Sequence, residues 1–216
     1  MSAPVRIPAG GCTLDADLAG PESPTGVVAF DHGSGSGRYS PRNREVAAAL
    51  QEAGLATLLA DLLTPEEEQA DLRTGHLRFD IDLLAGRLVA IIEWLSEEAT
   101  TTGLPVGLFG ASTGGAAALV AAARHPEGVS AAVSRGGRPD LAGADLGAVR
   151  APTLLIVGGR DDVVLGLNQQ ALGELTGEKR LEVVPGATHL FEEPGALQTV
   201  AGLARGWFLE HLVPGT

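Results

Sequence analysis

Ser112 stands in the stretch Gly110-Ala111-Ser112-Thr113-Gly114, which has the spacing G-x-S-x-G. A serine hydroxyl is a poor nucleophile until a base takes its proton. The spacing by itself is weak in a chain with 30 glycines, so its surroundings must support it. A short apolar run, Val106 to Phe109, precedes the motif, and an alanine-rich stretch, Gly115 to Arg124, follows it. A serine at a strand-to-helix junction sits on a sharp turn in strained backbone geometry. Its hydroxyl then projects above the C-terminal edge of a sheet. Flanking glycines suit such a turn because side chains there would collide across it.

The base and its orienting acid must come from other loops at the same edge. His189 follows the apolar run Leu181 to Val184 and the turn Pro185-Gly186-Ala187-Thr188, which predicts that position. His32 is expected to shape the turn before Gly33, and His76, His125 and His211 to lie at the surface. Asp161 and Asp162 follow the run Thr153 to Val157. Asp161 is placed to turn inward, while Asp162 is the alternative acid or the cap of the next helix. The chain order is then Ser112, Asp161, His189. Two backbone N–H groups should hold a developing oxyanion. One belongs to Thr113. The other is assigned to Ser34, with Gly35 as the alternative, in the glycine-rich loop Asp31 to Gly37. A phosphate-cradle reading of that loop fits neither dinucleotide nor Walker spacing, and no lysine follows it.

The elements that must position these residues are legible as alternation. Val27 to Phe30, Leu55 to Leu59, Val106 to Phe109, Val129 to Val133, Thr153 to Val157 and Leu181 to Val184 read as short buried strands. Between them, Asn43 to Ala53, Asp80 to Leu95, Gly115 to Arg124, Leu167 to Leu175 and Ala196 to Leu212 read as helices. Val5 to Ile7 and Thr13 to Leu18 predict an edge hairpin around Gly10-Gly11. Thr64-Pro65-Glu66-Glu67-Glu68 reads as a capped helix start rather than a mobile flap. Strands alternating with helices imply an α/β fold, a mostly parallel sheet with helices on both faces. The length of 216 residues fits one domain, 1–216.

Five segments together resemble the dienelactone hydrolase-like group of α/β-hydrolases: DHGSGSGRYSPRN, FGASTGG, VSRGGRPDLA, PTLLIVGGRDD and VPGATHLFEEPG. The resemblance spans nearly the whole chain. It implies an eight-stranded, mostly parallel sheet and a serine, aspartate and histidine triad, matched here by Ser112, Asp161 and His189. It also implies no cofactor. The best-known dienelactone hydrolases use a cysteine nucleophile; the serine here argues against carrying over their lactone substrate. Related domains also occur fused to phosphoribosyltransferases, and no second domain is expected in this chain.

Taken together, these readings predict a serine hydrolase of carboxylic esters, thioesters or lactones that works through an acyl-enzyme. An acyltransferase with the same triad and a non-catalytic binding module on the same scaffold are the alternatives. The segment Ser134 to Arg150 is short and glycine-rich, so no large cap domain is expected over the site. Arg135 and Arg138 lie in that segment and are candidate ligands for a substrate carboxylate; local ion pairs with Asp140 or Asp145 are the competing reading. The expected partner is a small-molecule ester. A net charge of -12 argues against nucleic acid and anionic membrane. No metal-ligand spacing is visible. A lone cysteine, Cys12, and the absence of a basic, apolar leader predict a cytoplasmic protein. No pattern sets the oligomeric state.

Overall fold

The computed structural model describes residues 2–33 and 36–212, Ser2 by its backbone alone. Eight strands form one sheet: β1 (Ser2–Ala9), β2 (Cys12–Ala19), β3 (Val27–Asp31), β4 (Ala56–Ala60), β5 (Val106–Ala111), β6 (Ala131–Arg135), β7 (Thr153–Gly158) and β8 (Lys179–Val184). Their order across the sheet is β1-β2-β4-β3-β5-β6-β7-β8. β1 runs antiparallel to β2, and β2 antiparallel to β4; every later pairing is parallel.

Parallel neighbours need crossovers, and five of the six α-helices among the described residues lie in them, α1 (Pro41–Glu52), α2 (Pro65–Thr74), α3 (Ile81–Glu97), α4 (Thr113–Arg124) and α5 (Asp162–Glu174), while α6 (Ala196–Leu212) follows the last strand. Alternate strand residues feed two cores, as the pleat dictates. On one face Phe30, Phe109 and Ile156 meet Val46 and Leu50 of α1 and Val200, Trp207 and Phe208 of α6. On the other, Ala29, Leu108 and Leu155 meet Leu84, Leu88 and Ile91 of α3 and the alanines of α4. Small side chains let α4 lie close to the sheet: its residues Thr113 to Ala122 are all buried.

The expected elements are all present, with shifted ends, but the run Leu181 to Val184 belongs to an edge strand in which only Val184 is buried, not to a buried one. β6 begins at Ala131 rather than Val129 and carries Ser134 and Arg135 inside the strand. α5 begins at Asp162 rather than Leu167. The N-terminal hairpin is longer than expected and turns through Gly10 and Gly11, both at positive φ. The run at Thr64 is a capping box: the Thr64 hydroxyl accepts from Glu67 N–H, and the Glu67 carboxylate accepts from Thr64 N–H. Glu67 also holds the buried Arg87 guanidinium through two bonds of 2.7 and 2.6 Å, so this acid braces the fold. Between β6 and β7 the chain makes only 3-10 turns over Pro139–Ala148, and no large cap is built there.

Candidate active site

β5 ends at Ala111 and α4 begins at Thr113, leaving Ser112 alone at the junction. Its φ of 55° and ψ of -121° are a strained conformation for a residue with a side chain. Neighbouring glycines make the turn possible. A Cβ on Gly110 would stand 2.3 Å from the Gly114 carbonyl oxygen, and one on Gly114 would stand 2.8 Å from the Asp31 carboxyl carbon. The exit of β6 locks the turn from the other side. Ser112 N–H donates to the Arg135 carbonyl, and Arg138 N–H donates to the Ser112 carbonyl, each at 3.1 Å.

Three loops converge here. His189, on the loop between β8 and α6, places Nδ1 2.6 Å from Asp161 Oδ2 and Nε2 3.4 Å from Ser112 Oγ. Asp161 is the residue before α5 and makes no capping bond with its side chain, so its carboxylate is free to take the imidazole. Asp162 is the first residue of α5 and is exposed. The 2.6 Å contact fits a short, charge-assisted hydrogen bond that fixes the ring. The 3.4 Å contact is long for a hydroxyl donor, the looseness common before substrate is bound. The His189 side chain keeps 37% of its surface exposed against 15% for Asp161, so the ring faces the opening and the acid lies behind it.

The histidine loop has its own brace. Glu193 Oε1 accepts Thr188 N–H at 3.0 Å, and these Thr188 contacts hold the Glu193 carboxyl below its usual range. Between them Phe191 is buried at φ 56°, the only other non-glycine residue with positive φ among the described residues. Thr113 opens α4, and the first N–H groups of a helix have no partner within it, so Thr113 offers a donor beside Ser112. Ser34 and its alternative Gly35 lie outside the described residues. Gly33 precedes them, and a Cβ there would reach Ser112 Cβ at 3.1 Å, so the backbone at Gly33 packs against the serine. His32 shapes the loop: Leu62 N–H donates to Nε2 at 3.4 Å, which leaves Nδ1 to donate to the Gly33 carbonyl at 3.2 Å. Burial lowers its pKa, in keeping with that neutral ring.

The two candidate substrate arginines have different environments. Arg138 makes two bonds to Asp140, 2.8 and 2.7 Å, and is partly exposed. Arg135 is buried, with Nε and Nη1 unpartnered. Its guanidinium lies 5.8 Å from the Phe191 ring. It lines a cavity of about 250 Å³ together with Ser112, His189, Gly33, Ser36, Arg42 and Asn43. Residues that sequence reasoning missed are Arg42 and Asn43 at the start of α1, Glu193, and Asp31. Asp31 is buried without a hydrogen-bond partner beneath Gly114, and desolvation raises its pKa well above the ordinary value. Its position directly after the strand run Val27 to Phe30 was the only signal available. Elsewhere, Glu178, Glu210 and His211 each bring one potential ligand atom within 4.8 Å of the others, but both carboxylates are exposed.

A twisted parallel sheet with an antiparallel start, carrying a serine at the β5–α4 elbow, defines the α/β-hydrolase class. The chain belongs to the dienelactone hydrolase family, whose family model matches residues 14–205. It is 60% identical to a dienelactone hydrolase from Anabaena variabilis, with a TM-score of 0.96 over 98% of each chain. Its fold is also similar to that of Est1E from Butyrivibrio proteoclasticus, with a TM-score of 0.79 at 16% identity over 96% of this chain and 98% of that one. A Mycobacterium tuberculosis protein provisionally named a phosphoribosyl transferase is 60% identical over 208 residues, 96% of this chain and 46% of its own length. The chain thus spans about half the length of the curated relatives it matches. Among the described residues no helix is long and apolar enough to cross a membrane.

Proposed function

We propose that the chain hydrolyses carboxylic esters through a covalent acyl-serine. The observation that carries this reading is the unbroken line of contacts from Asp161 Oδ2 through the His189 ring to Ser112 Oγ. His189 Nε2 takes the hydroxyl proton as Ser112 Oγ attacks the ester carbonyl. The Asp161 carboxylate keeps the proton on Nδ1 and stabilises the imidazolium that forms. Thr113 N–H, with a second donor from the 33–35 loop, holds the tetrahedral oxyanion. Collapse expels the alcohol, which takes the proton from His189. Water then attacks the acyl carbonyl as His189 takes its proton, and collapse breaks the bond to Ser112 Oγ, which regains the proton from His189 as the carboxylic acid leaves. The family and the Anabaena variabilis relative, itself named a dienelactone hydrolase, support hydrolysis. The phosphoribosyl transferase name belongs to chains about twice as long as this one, and the site described here supports acyl transfer to water instead.

The test is turnover of p-nitrophenyl acetate, butyrate and octanoate by the wild-type chain and by Ser112→Ala. The expected result is wild-type hydrolysis and a loss of about four orders of magnitude or more in the variant. Equal rates in the two proteins would remove Ser112 from the chemistry.

A further inference from the structure

β8 (Lys179–Val184) ends the sheet on one side, and no strand lies beyond it among the described residues. Thr153 N–H donates to the Glu178 carbonyl, and Gly159 N–H donates to the Val184 carbonyl. In a parallel ladder, alternate residues turn both backbone groups to the same neighbour. Residues 178, 180, 182 and 184 therefore face β7, while Lys179, Leu181 and Val183 direct their N–H and C=O groups outward. Such a row is a template for another strand. It is open to approach: Lys179 and Arg180 are exposed, and Val183 keeps 41% of its surface. Edge strands are commonly guarded by charge, because like charges set face to face repel. On β8 the facing charges differ in sign. Arg180 and Glu182 stand two residues apart on the α6 face of the strand, where the Arg180 guanidinium lies 5.0 Å from the Trp207 ring. Neither belongs to an ion pair among the described residues.

We propose that this edge takes a second copy of the chain: two β8 strands pair antiparallel about a two-fold axis and join the two sheets into one. Backbone bonding requires that outward-facing residues stand opposite one another. An axis through Leu181 meets that condition. It sets Leu181 opposite its own copy and Lys179 opposite Val183, each pair exchanging hydrogen bonds. Between these pairs Arg180 stands opposite Glu182 of the second copy, and Glu182 opposite its Arg180. These are the non-hydrogen-bonded positions, where facing side chains come closest. The neighbouring registers fail on charge. An axis at residue 180 sets arginine against arginine, and one at residue 182 sets glutamate against glutamate. Charge complementarity thus selects one antiparallel pairing of this strand with itself. The inference stands apart from the hydrolase reading, since neither Arg180 nor Glu182 lines the cavity that holds Ser112 and His189.

The experiment is the mass of the full chain in solution, measured by sedimentation equilibrium across micromolar concentrations. The wild-type chain should form a dimer. Arg180→Glu sets two pairs of glutamates face to face, and Glu182→Arg does the same with arginines. Each variant should weaken the dimer by at least about tenfold, the scale of two cross-strand charge pairs turned from attraction to repulsion. The double exchange Arg180→Glu/Glu182→Arg should restore wild-type association, a recovery that a folding defect would not give. Amide exchange followed by NMR supplies a second readout. The Lys179, Leu181 and Val183 N–H groups should exchange slowly in the wild-type dimer and fast in Arg180→Glu. A wild-type chain that stays monomeric at every concentration, or a dimer indifferent to both single charge reversals, would overturn the proposal. Failure of the double exchange to recover the dimer would overturn it as well.

Discussion

Replacing Asp161 by asparagine keeps the side-chain shape and removes its charge. Asp161 Oδ2 lies 2.6 Å from His189 Nδ1 in the present structure. In the proposed mechanism a full ion pair forms when His189 takes the serine proton, with charge centres roughly 4 Å apart. Such a pair is worth about 1 kcal/mol in bulk water and about 4 kcal/mol near a protein surface. The acid is mostly covered and the ring is 37% exposed, so the local medium lies between those limits. Losing the charge should slow acylation by roughly 5-fold to 1,000-fold. The amide also offers an N–H where Nδ1 needs an acceptor, which favours the wrong tautomer and moves the expectation toward the upper end. The assay is kcat/KM for p-nitrophenyl butyrate across pH 5 to 9 for Asp161→Asn and Asp162→Asn. Asp161→Asn should lose about two to three orders of magnitude, and Asp162→Asn should stay near wild type. Full activity in Asp161→Asn, or an equal loss in both variants, would refute the assignment of the orienting acid.

Further consequences concern the supports of the site. Asp31 has a raised pKa, so its contribution to stability is complete below the unfolded value near 4 and is lost as pH rises through the folded value. Asp31→Asn does not titrate; its melting temperature should therefore gain on wild type as pH goes from 4 to 8, and a constant difference would contradict a buried neutral acid. Gly114→Ala drives a methyl group into the Asp31 carboxyl at 2.8 Å, and overpacking of this kind costs about 1–3 kcal/mol, or roughly 2–12 °C in melting temperature by calorimetry. Glu193→Ala frees the Thr188 N–H and should lower kcat for p-nitrophenyl butyrate several-fold with little change in KM, while Glu193→Gln, which keeps an acceptor, should recover part of the loss. Because the Glu193 pKa is depressed, the support is complete above the usual glutamate range near 4.3 and is lost as pH falls through the folded value, so the Glu193→Ala defect should shrink only in acid.

The sequence made the elbow and its two partner loops visible for a physical reason. The elbow and the aspartate loop follow the buried parallel strands β5 and β7, short apolar runs that stand out against Gly, Pro and Asp, while the histidine loop follows β8, an edge strand of which only Val184 is buried. Legibility failed where polar residues extend a strand or prolines interrupt it. β6 ends in Ser134 and Arg135, and polar residues at the sheet's working edge masked the true end of that strand. β1 holds Pro4 and Pro8, which discourage a strand reading, yet β1 is the sheet's edge, where a missing N–H is tolerated. α5 opens with Asp162-Val163-Val164-Leu165-Gly166, whose β-branched pair and glycine hid its first turns. Arg42 and Glu193 are far from Ser112 in sequence and follow no periodic pattern. Only the crossover of α1 over the sheet, and the return of the histidine loop, bring them to the site.

The most direct measurement is the mass of the covalent adduct formed with a fluorophosphonate probe, mapped to a peptide. The account predicts one phosphonyl group per chain, located on Ser112, formed rapidly in the wild-type protein and greatly slowed in His189→Ala. A modification on any other serine, or labelling whose rate is indifferent to His189, would contradict it.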